Sequence, residues 1–208
     1  MKYEWRKSDK NLYIPTLSPA IVNVPQFTFL ELEGNGNPNH ENFQHAIRTL
    51  YSLSYAIKMM PKKGVVPNGY FDYTVFPLEG VWDLDEVGRT LPYLDKNHLV
   101  YQLMIRQPSF VTRDVFNQAL SLVQKKGTSI LLPSVRLVER EEGVSVQCLH
   151  VGSYDDEPFT FAKMDSFCKE NGYRRLEKTH REIYLSDARR TPVEKLKTVL
   201  RYRVTQSE

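Results

Sequence analysis

The spacing of apolar residues predicts a strand followed by a long helix in the first part of the chain. Residues 27–32 are rich in aromatic and aliphatic side chains, which is typical of a strand, and the run ends in the Gly- and Asn-rich segment 34–39. Apolar residues then recur at alternating intervals of four and three positions from Phe43 to Ile57, and Pro61 follows. This spacing predicts a helix with one face in the core.

Further segments complete two halves with the same order of strand, helix, strand and strand. Residues 70–77 and 99–107 have the composition of strands and close the first half. A second half follows the same order, with strands at 144–151, 180–186 and 198–204 and a helix after the first of them. That helix has Pro158 at its first position and ends at Asn171-Gly172, which are common helix boundaries.

These patterns predict an α+β fold made of two duplicated strand-helix-strand-strand halves. Their strands would form a concave antiparallel or mixed sheet with helices on one face. The predicted segments are an N-terminal extension at residues 1–25 and a domain at 26–204, in which half one is 26–107, an inserted helix lies in 108–137 and half two is 138–204. The role of the inserted helix, residues 112–126, stays open between a lid over a ligand and an interface.

Composition and charge exclude several functional classes. Hydrophobic residues make up 41% of the chain and charged residues 25%, which are ordinary values for a globular protein. The net charge of +3 is small and the basic residues are interleaved with acidic ones, so we expect no direct nucleic-acid binding. The sequence has no apolar run long enough for a membrane span, and its N-terminus is charged, so we expect a cytoplasmic protein that binds no membrane.

Familiar catalytic and metal-binding motifs are missing from the sequence. The two cysteines, Cys148 and Cys168, lack metal-ligand spacing and are expected to be reduced thiols. The five histidines form no pair spaced for zinc, and the chain has neither a phosphate loop nor a dinucleotide fingerprint. We therefore expect no metal and no cofactor.

Alternation along residues 180–186 separates two sets of side chains. Glu182 and Tyr184 point to one face, and Ile183 and Leu185 to the other. If Ile183 and Leu185 pack against the helices, Glu182 and Tyr184 line a cleft between the two halves, where a ligand could bind. Taken alone, the pattern favours an exposed Glu182.

Two stretches of the chain resemble the family of GyrI-like small-molecule-binding domains. The C-terminal signature of that family is similar to residues 180–187, HREIYLSD, and to residues 190–198, RTPVEKLKT. A Gly-x-Tyr turn before the second helix of the family is similar to Gly152-Ser153-Tyr154. With the duplication, the resemblance spans about residues 26–204. It points to a stand-alone bacterial branch, related to the effector-binding domains of multidrug-responsive activators and to cyclopropanoid cyclopropyl hydrolases.

The resemblance implies an aromatic pocket around a central carboxylate, Glu182, that pairs with planar, lipophilic and often cationic ligands. Aromatic rings beside such a cation contribute about 0.5 to 2 kcal/mol. The other ligand-binding residues that it implies are Tyr154, Tyr184, Trp82 and Tyr73. Tyr154 could instead pack over the turn, and Trp82 could be a core residue.

The resemblance also implies a hydrolase that opens the cyclopropane ring of DNA-alkylating compounds as a detoxifying enzyme. In that hypothesis Glu182 activates water, while Tyr154 or a second carboxyl group, Glu79, binds the substrate carbonyl. Glu79 could equally be a turn residue. The alternative is a non-catalytic protein that binds or senses drugs, and a topoisomerase-modulating protein is a third hypothesis. The expected partner is a hydrophobic or cationic small molecule, and a homodimer stays open.

Overall fold

The computed structural model describes residues 2–125, 127 and 130–207 of the chain. The helices in these residues are α1 (Trp5–Ser8), α2 (Lys10–Tyr13), α3 (Glu41–Lys58), α4 (Arg113–Gln124) and α5 (Glu157–Glu170). The strands are β1 (Ala20–Val24), β2 (Phe27–Asn35), β3 (Leu78–Leu84), β4 (Leu99–Gln107), β5 (Arg136–Arg140), β6 (Gly143–Val151), β7 (Tyr173–Arg175), β8 (His180–Tyr184) and β9 (Lys197–Gln206). None of the described helices combines the length and the apolarity that crossing a lipid bilayer requires.

The chain divides into two compact units. The first consists of Met1–Trp5, Phe27–Leu78 and Asp83–Arg140, and the second of Arg6–Gln26, Glu79–Trp82 and Glu141–Glu208. Both units combine antiparallel strands with helices. The α+β class predicted from the sequence is therefore confirmed.

In the first unit, β2 is the central strand and pairs antiparallel with β4 on one side and β5 on the other. Helix α3 packs on β2 and β4, as the four-and-three spacing predicts. Its Leu50, Leu53 and Ile57 are completely buried, and the ring of Phe43 meets Tyr101 edge-on with 5.1 Å between centroids. Burying side chains of this size contributes about 1.5 to 3 kcal/mol each, which holds the helix on the sheet.

The prediction of a strand at residues 70–77 is wrong, because the regular strand in this part of the chain is β3, which begins at Leu78. Residues 70–77 make a single isolated bridge, between Tyr3 and Tyr73. Their aromatic residues owe their burial to ring packing, such as that of Phe71 on Phe110 at 5.5 Å. Strand propensity measures how well a side chain packs rather than whether the backbone is paired, so composition misplaced this element.

The inserted segment carries the predicted helix, and a strand that the sequence did not indicate, β5, spans the predicted boundary between the insertion and half two. Thr112 caps α4 by accepting a hydrogen bond from the backbone N–H of Val115, and α4 packs against α3 within this unit. Strand β5 then pairs with β2. Arg140 of β5 binds the buried carboxylate of Glu31 through two nitrogens, at 2.8 and 3.0 Å. The paired charges compensate for the burial of Glu31 in this strand pair.

In the second unit the strands lie in the order β1, β6, β9, β8 and residues 79–82 of β3, and β7 also pairs with β9. Helix α5 packs on one face of this sheet. The buried core there consists of Val146, Cys148, Met164, Cys168, Leu200, Tyr202 and Val204. Both cysteines are buried free thiols, as expected from the sequence.

The opposite face of the second unit holds a buried network of charges. Arg181 binds Glu79 at 2.7 Å through Nη1 and Glu142 at 3.0 Å through Nε. Arg201 binds the other oxygen of Glu142 at 2.9 Å and the side-chain oxygen of Gln147 at 2.8 and 3.0 Å. A buried charge is tolerated only when it is paired in this way, so each carboxylate depends on its arginines.

The segment before β1 closes this network. Arg201 donates to the backbone carbonyl of Leu12, and the Tyr13 hydroxyl donates to Glu79 at 3.1 Å. Gln147 donates to the carbonyl of Asn11 at 2.6 Å. The polar interior therefore anchors residues that the sequence analysis assigned to the N-terminal extension.

Glu142→Gln is expected to lower the free energy of unfolding by about 3 to 5 kcal/mol at neutral pH, because it leaves two buried guanidinium groups without their shared carboxylate. Burial opposes ionisation of Glu142, but Arg181 and Arg201 outweigh it and lower the pKa of this carboxyl group below its ordinary value of 4.5. The carboxylate thus stabilises the fold above about pH 4.5, and this contribution falls as the pH drops through the lowered pKa.

Urea unfolding at several pH values measures this effect. The matched control is Glu177→Gln, whose exposed pair with Arg203 should contribute no more than about 1 kcal/mol. A stability difference between wild type and Glu142→Gln that stays constant down to about pH 2 would contradict the assignment.

Candidate functional site

Strand β8 divides the side chains of the second unit between two environments. Glu182 lies opposite Gly80 of β3 and Leu200 of β9, and directly opposed residues share a face of the sheet. Because Leu200 belongs to the core under α5, Glu182 lies on the face that α5 covers. Ile183 and Arg181 point to the other face. The expectation that Ile183 would meet the helix and Glu182 would point away from it is therefore wrong.

Three donor side chains meet beside the N-terminal end of α5. Glu157 from α5 and His180 and Glu182 from β8 each place one oxygen or nitrogen within 4.8 Å of the other two. His180 Nε2 and Glu182 Oε1 are 3.1 Å apart. Both glutamates are buried, and His180 packs its ring edge-on against Phe161 of α5, at 4.8 Å. We call Glu157, His180 and Glu182 the acid cluster.

A chain of hydrogen bonds leads from Trp82 to the acid cluster. The indole N–H of Trp82 donates to the Tyr184 hydroxyl at 2.9 Å, and that hydroxyl donates to the Glu182 carboxylate. Burial, together with the charge and hydrogen bond of Glu182, raises the pKa of Tyr184 well above its ordinary value. Tyr184 is therefore a neutral donor that fixes the orientation of the carboxylate.

Tyr154 adds a second phenol beside the same carboxylates. Its ring meets Tyr184 edge-on with 6.1 Å between centroids, and 36% of its surface stays exposed. Burial raises the pKa of Tyr154 to about 12, with further contributions from the charges of Glu182 and Glu157. Its hydroxyl consequently keeps its proton at neutral pH and can donate to a bound molecule.

One histidine positions the segment that carries Tyr154 and Glu157. After β6 the chain turns at Gly152, whose φ of 129° is disfavoured for other residues. His150 donates through Nε2 to the carbonyl of Ser153 at 2.8 Å, and its Nδ1 accepts from the Thr160 hydroxyl at 2.9 Å. The end of β6 is thereby fastened to the first turn of α5.

Residues 17–204 match the GyrI-like small molecule binding domain family. The chain belongs to this family. Its fold class and the resemblance stated from the sequence are therefore confirmed. None of the curated proteins matches the chain significantly.

Solved structures of similar proteins agree with this membership. A hydrolase from Listeria innocua is 36% identical, with a TM-score of 0.91, and the match covers 99% of this chain and 100% of the other. An uncharacterized conserved protein from Listeria innocua is also 36% identical, with a TM-score of 0.91 and 98% and 100% of the two chains covered. The C-terminal domain of EcmrR shares only the fold, at 12% identity and a TM-score of 0.53, and the match covers 94% of this chain and 99% of the other.

The GyrI-like domain brings together four of the side chains predicted for the ligand site. Glu182, Tyr184, Tyr154 and Trp82 lie in one connected group within the second unit. Their contact with a ligand stays a prediction. Trp82 is both buried and part of this group, so the two alternatives for it, core residue and site residue, are compatible.

Glu79 does not pair with Glu182. It lies opposite Ile183 in the β3–β8 register, on the face away from α5, and its carboxylate is held by Arg181 and Tyr13. The second carboxyl group beside Glu182 is Glu157 instead. Glu79 therefore belongs to the buried charge network.

Tyr73 belongs to the first unit of the chain. Its ring is almost completely buried and packs against Phe71 and Phe110, and the Lys58 ammonium group lies 5.0 Å from the ring centroid. Burial raises the pKa of Tyr73 above its ordinary value. These contacts are those of a core residue, and a role of Tyr73 in ligand binding stays a prediction.

Sequence reasoning missed Glu157, His180 and His150 as parts of the site. The alternation that selected Glu182 also places His180 on its face, so a signal for His180 was present. Glu157 lies three residues after Tyr154, yet only the contact between α5 and β8 brings it to Glu182. His150 directly precedes the Gly-x-Tyr turn that the family resemblance marked, but only the hydrogen bonds in the structure show that it holds this turn.

Tyr184→Phe is expected to lower the free energy of unfolding by about 1 to 3 kcal/mol, because it removes the acceptor of the Trp82 N–H and a donor to Glu182. Urea unfolding followed by circular dichroism measures the change. Tyr93→Phe is the control, since Tyr93 is 64% exposed. Equal stability of the two variants would show that the Tyr184 hydroxyl contributes nothing to the site.

Proposed function

We propose that this protein binds planar, lipophilic or cationic small molecules beside Glu182 and hydrolyses the cyclopropane ring of DNA-alkylating compounds as a cytoplasmic detoxifying enzyme. The observation that carries the proposal is a buried carboxylate, Glu182, held by Tyr184 and flanked by the partly exposed Tyr154. Family membership supports the small-molecule ligand, and the similar hydrolase from Listeria innocua supports the hydrolytic activity.

Electrostatics favours a flat cation or a polarised carbonyl compound as the ligand. A carboxylate partly removed from water attracts a delocalised positive charge more strongly than an exposed one does. The rings of Tyr154 and Tyr184 would add cation-π and stacking contributions of about 0.5 to 2 kcal/mol. Charge and planarity would then matter more than the detailed shape of the ligand.

The side chains present suit the addition of water to a cyclopropane conjugated with a carbonyl group. Glu182 takes a proton from water while the water oxygen forms a bond to a ring carbon. The carbon–carbon bond of the ring breaks, and its electron pair moves to the carbonyl oxygen, where Tyr154 donates a hydrogen bond. That oxygen finally receives the proton held by Glu182, so the net change is the addition of one water molecule.

A second candidate function is binding without chemistry. The matched family is defined by small-molecule binding, and a protein that sequesters or senses drugs would need the same carboxylate and rings. Turnover separates the two functions, because sequestration leaves the alkylator chemically unchanged.

Glu182→Gln is expected to reduce hydrolysis of a cyclopropane-bearing DNA alkylator by about 10²- to 10⁴-fold, because the amide cannot accept the proton of water. Mass spectrometry of the hydrated product, with purified protein in excess and in catalytic amounts, measures the rate. Equilibrium dialysis of the same alkylator should show that binding is kept.

The control for this experiment is Glu170→Gln, an exposed acid at the far end of α5 that should hydrolyse at the wild-type rate. Unchanged turnover in Glu182→Gln would overturn the catalytic assignment. Saturable binding with no turnover by the wild-type protein would leave the drug-binding function.

A further inference from the structure

The acid cluster has the donor atoms of a metal site. Among the described residues, Glu157, His180 and Glu182 bring two carboxylate oxygens and one imidazole nitrogen within 4.8 Å of one another. Donors bound to one tetrahedral ion at about 2.0 to 2.2 Å are about 3.4 Å apart. The pair formed by His180 Nε2 and Glu182 Oε1, at 3.1 Å, already has nearly this separation. Small rotations of the Glu157 side chain would complete the set.

Burial and charge favour a cation at this place. Glu157 is 6% exposed and Glu182 is 8% exposed, so both carboxylates are largely removed from water. Two such charges repel each other unless a positive charge or a proton lies between them. His180 lies 3.1 Å from Glu182 and, if protonated, contributes one positive charge beside the two carboxylates. A divalent ion bound by both carboxylates would offset their mutual repulsion.

Hydrogen bonds from neighbouring residues hold the donor side chains in place, as they do around the ligands of known metal sites. Tyr184 donates to the Glu182 carboxylate and is itself held by Trp82. The turn that carries Glu157 is fastened by His150. Hydrogen bonds of this kind fix the orientation of the coordinating groups and strengthen binding.

We propose that Glu157, His180 and Glu182 bind one divalent first-row transition ion, of the class of Zn²⁺ or Co²⁺. Mixed imidazole and carboxylate donors suit these ions, whereas Mg²⁺ and Ca²⁺ favour oxygen donors alone. The spacing of the histidines and cysteines predicts no metal site, and Glu157 lies more than twenty positions before His180 in the chain. Only the packing of α5 on β8 joins them.

This site goes beyond the proposed function and does not depend on it. The ion and an organic cation would both require Glu182, so each should weaken the binding of the other by the same factor. Metal binding without hydrolysis would support the metal site and contradict the proposed function. Hydrolysis without metal binding would support the proposed function and contradict the metal site.

The test is titration of the tag-free full chain with Co²⁺, followed by visible absorption and by isothermal calorimetry. We expect one ion per chain, and a loss of affinity of at least about tenfold in Glu157→Gln and in His180→Asn. Glu170→Gln, on the same helix, should bind Co²⁺ as the wild type does. Addition of Zn²⁺ should displace Co²⁺ and abolish its absorption.

A thermal melt with and without Zn²⁺ guards against a variant that fails to fold. The wild type should melt at a higher temperature with Zn²⁺, and the folded variants should show a smaller shift. No binding of Co²⁺ up to about 1 mM, or equal binding by wild type and both variants, would overturn the proposal.

Discussion

The ion pairs of Arg181 are the interaction on which the second unit depends. This side chain is enclosed on one face of β8 and holds both Glu79 and Glu142, and Arg201 completes the arrangement. A buried guanidinium group that loses its carboxylates is strongly destabilising. The register of β8 between β3 and β9 is therefore fixed by charge as well as by backbone pairing.

That register also determines which side chains lie on the other face of β8. Because successive residues of a strand alternate, fixing Arg181 inward on one face fixes His180 and Glu182 on the other. Helix α5 covers this face and contributes Glu157, and the turn before α5 contributes Tyr154. The buried charge network and the acid cluster thus lie on opposite faces of one short strand.

The sequence carried much of this organisation but not its long-range part. Helix α3, strand β4 and the boundaries of α5 follow from local spacing, Pro158 and Gly172, so they were predictable. The strand prediction at residues 70–77 failed because aromatic residues that pack in a core have the same composition as those of a strand. The strands β1, β5 and β7 are short, and their pairing partners are distant in the chain, so no local pattern indicated them.

Site residues with a local sequence pattern were predictable, and those placed by contacts between distant segments were not. Alternation and the family signature selected Glu182, Tyr184 and Tyr154, which the structure brings together. The position of Glu79 on the other face was not predictable, because it depends on the register between β3 and β8, which a single strand does not reveal. Glu157 was missed because its contact with Glu182 is purely tertiary.

The alternating assignment of β8 also limits how this protein can evolve. Insertion or deletion of one residue in the strand would exchange Arg181 and Glu182 between an environment that needs a guanidinium group and one that needs a carboxylate. Natural variation in β8 should consequently be confined to substitutions that keep its length. New specificities would then arise in the turn and the first residues of α5, where Tyr154 and Glu157 can change without disturbing the charges beneath the sheet.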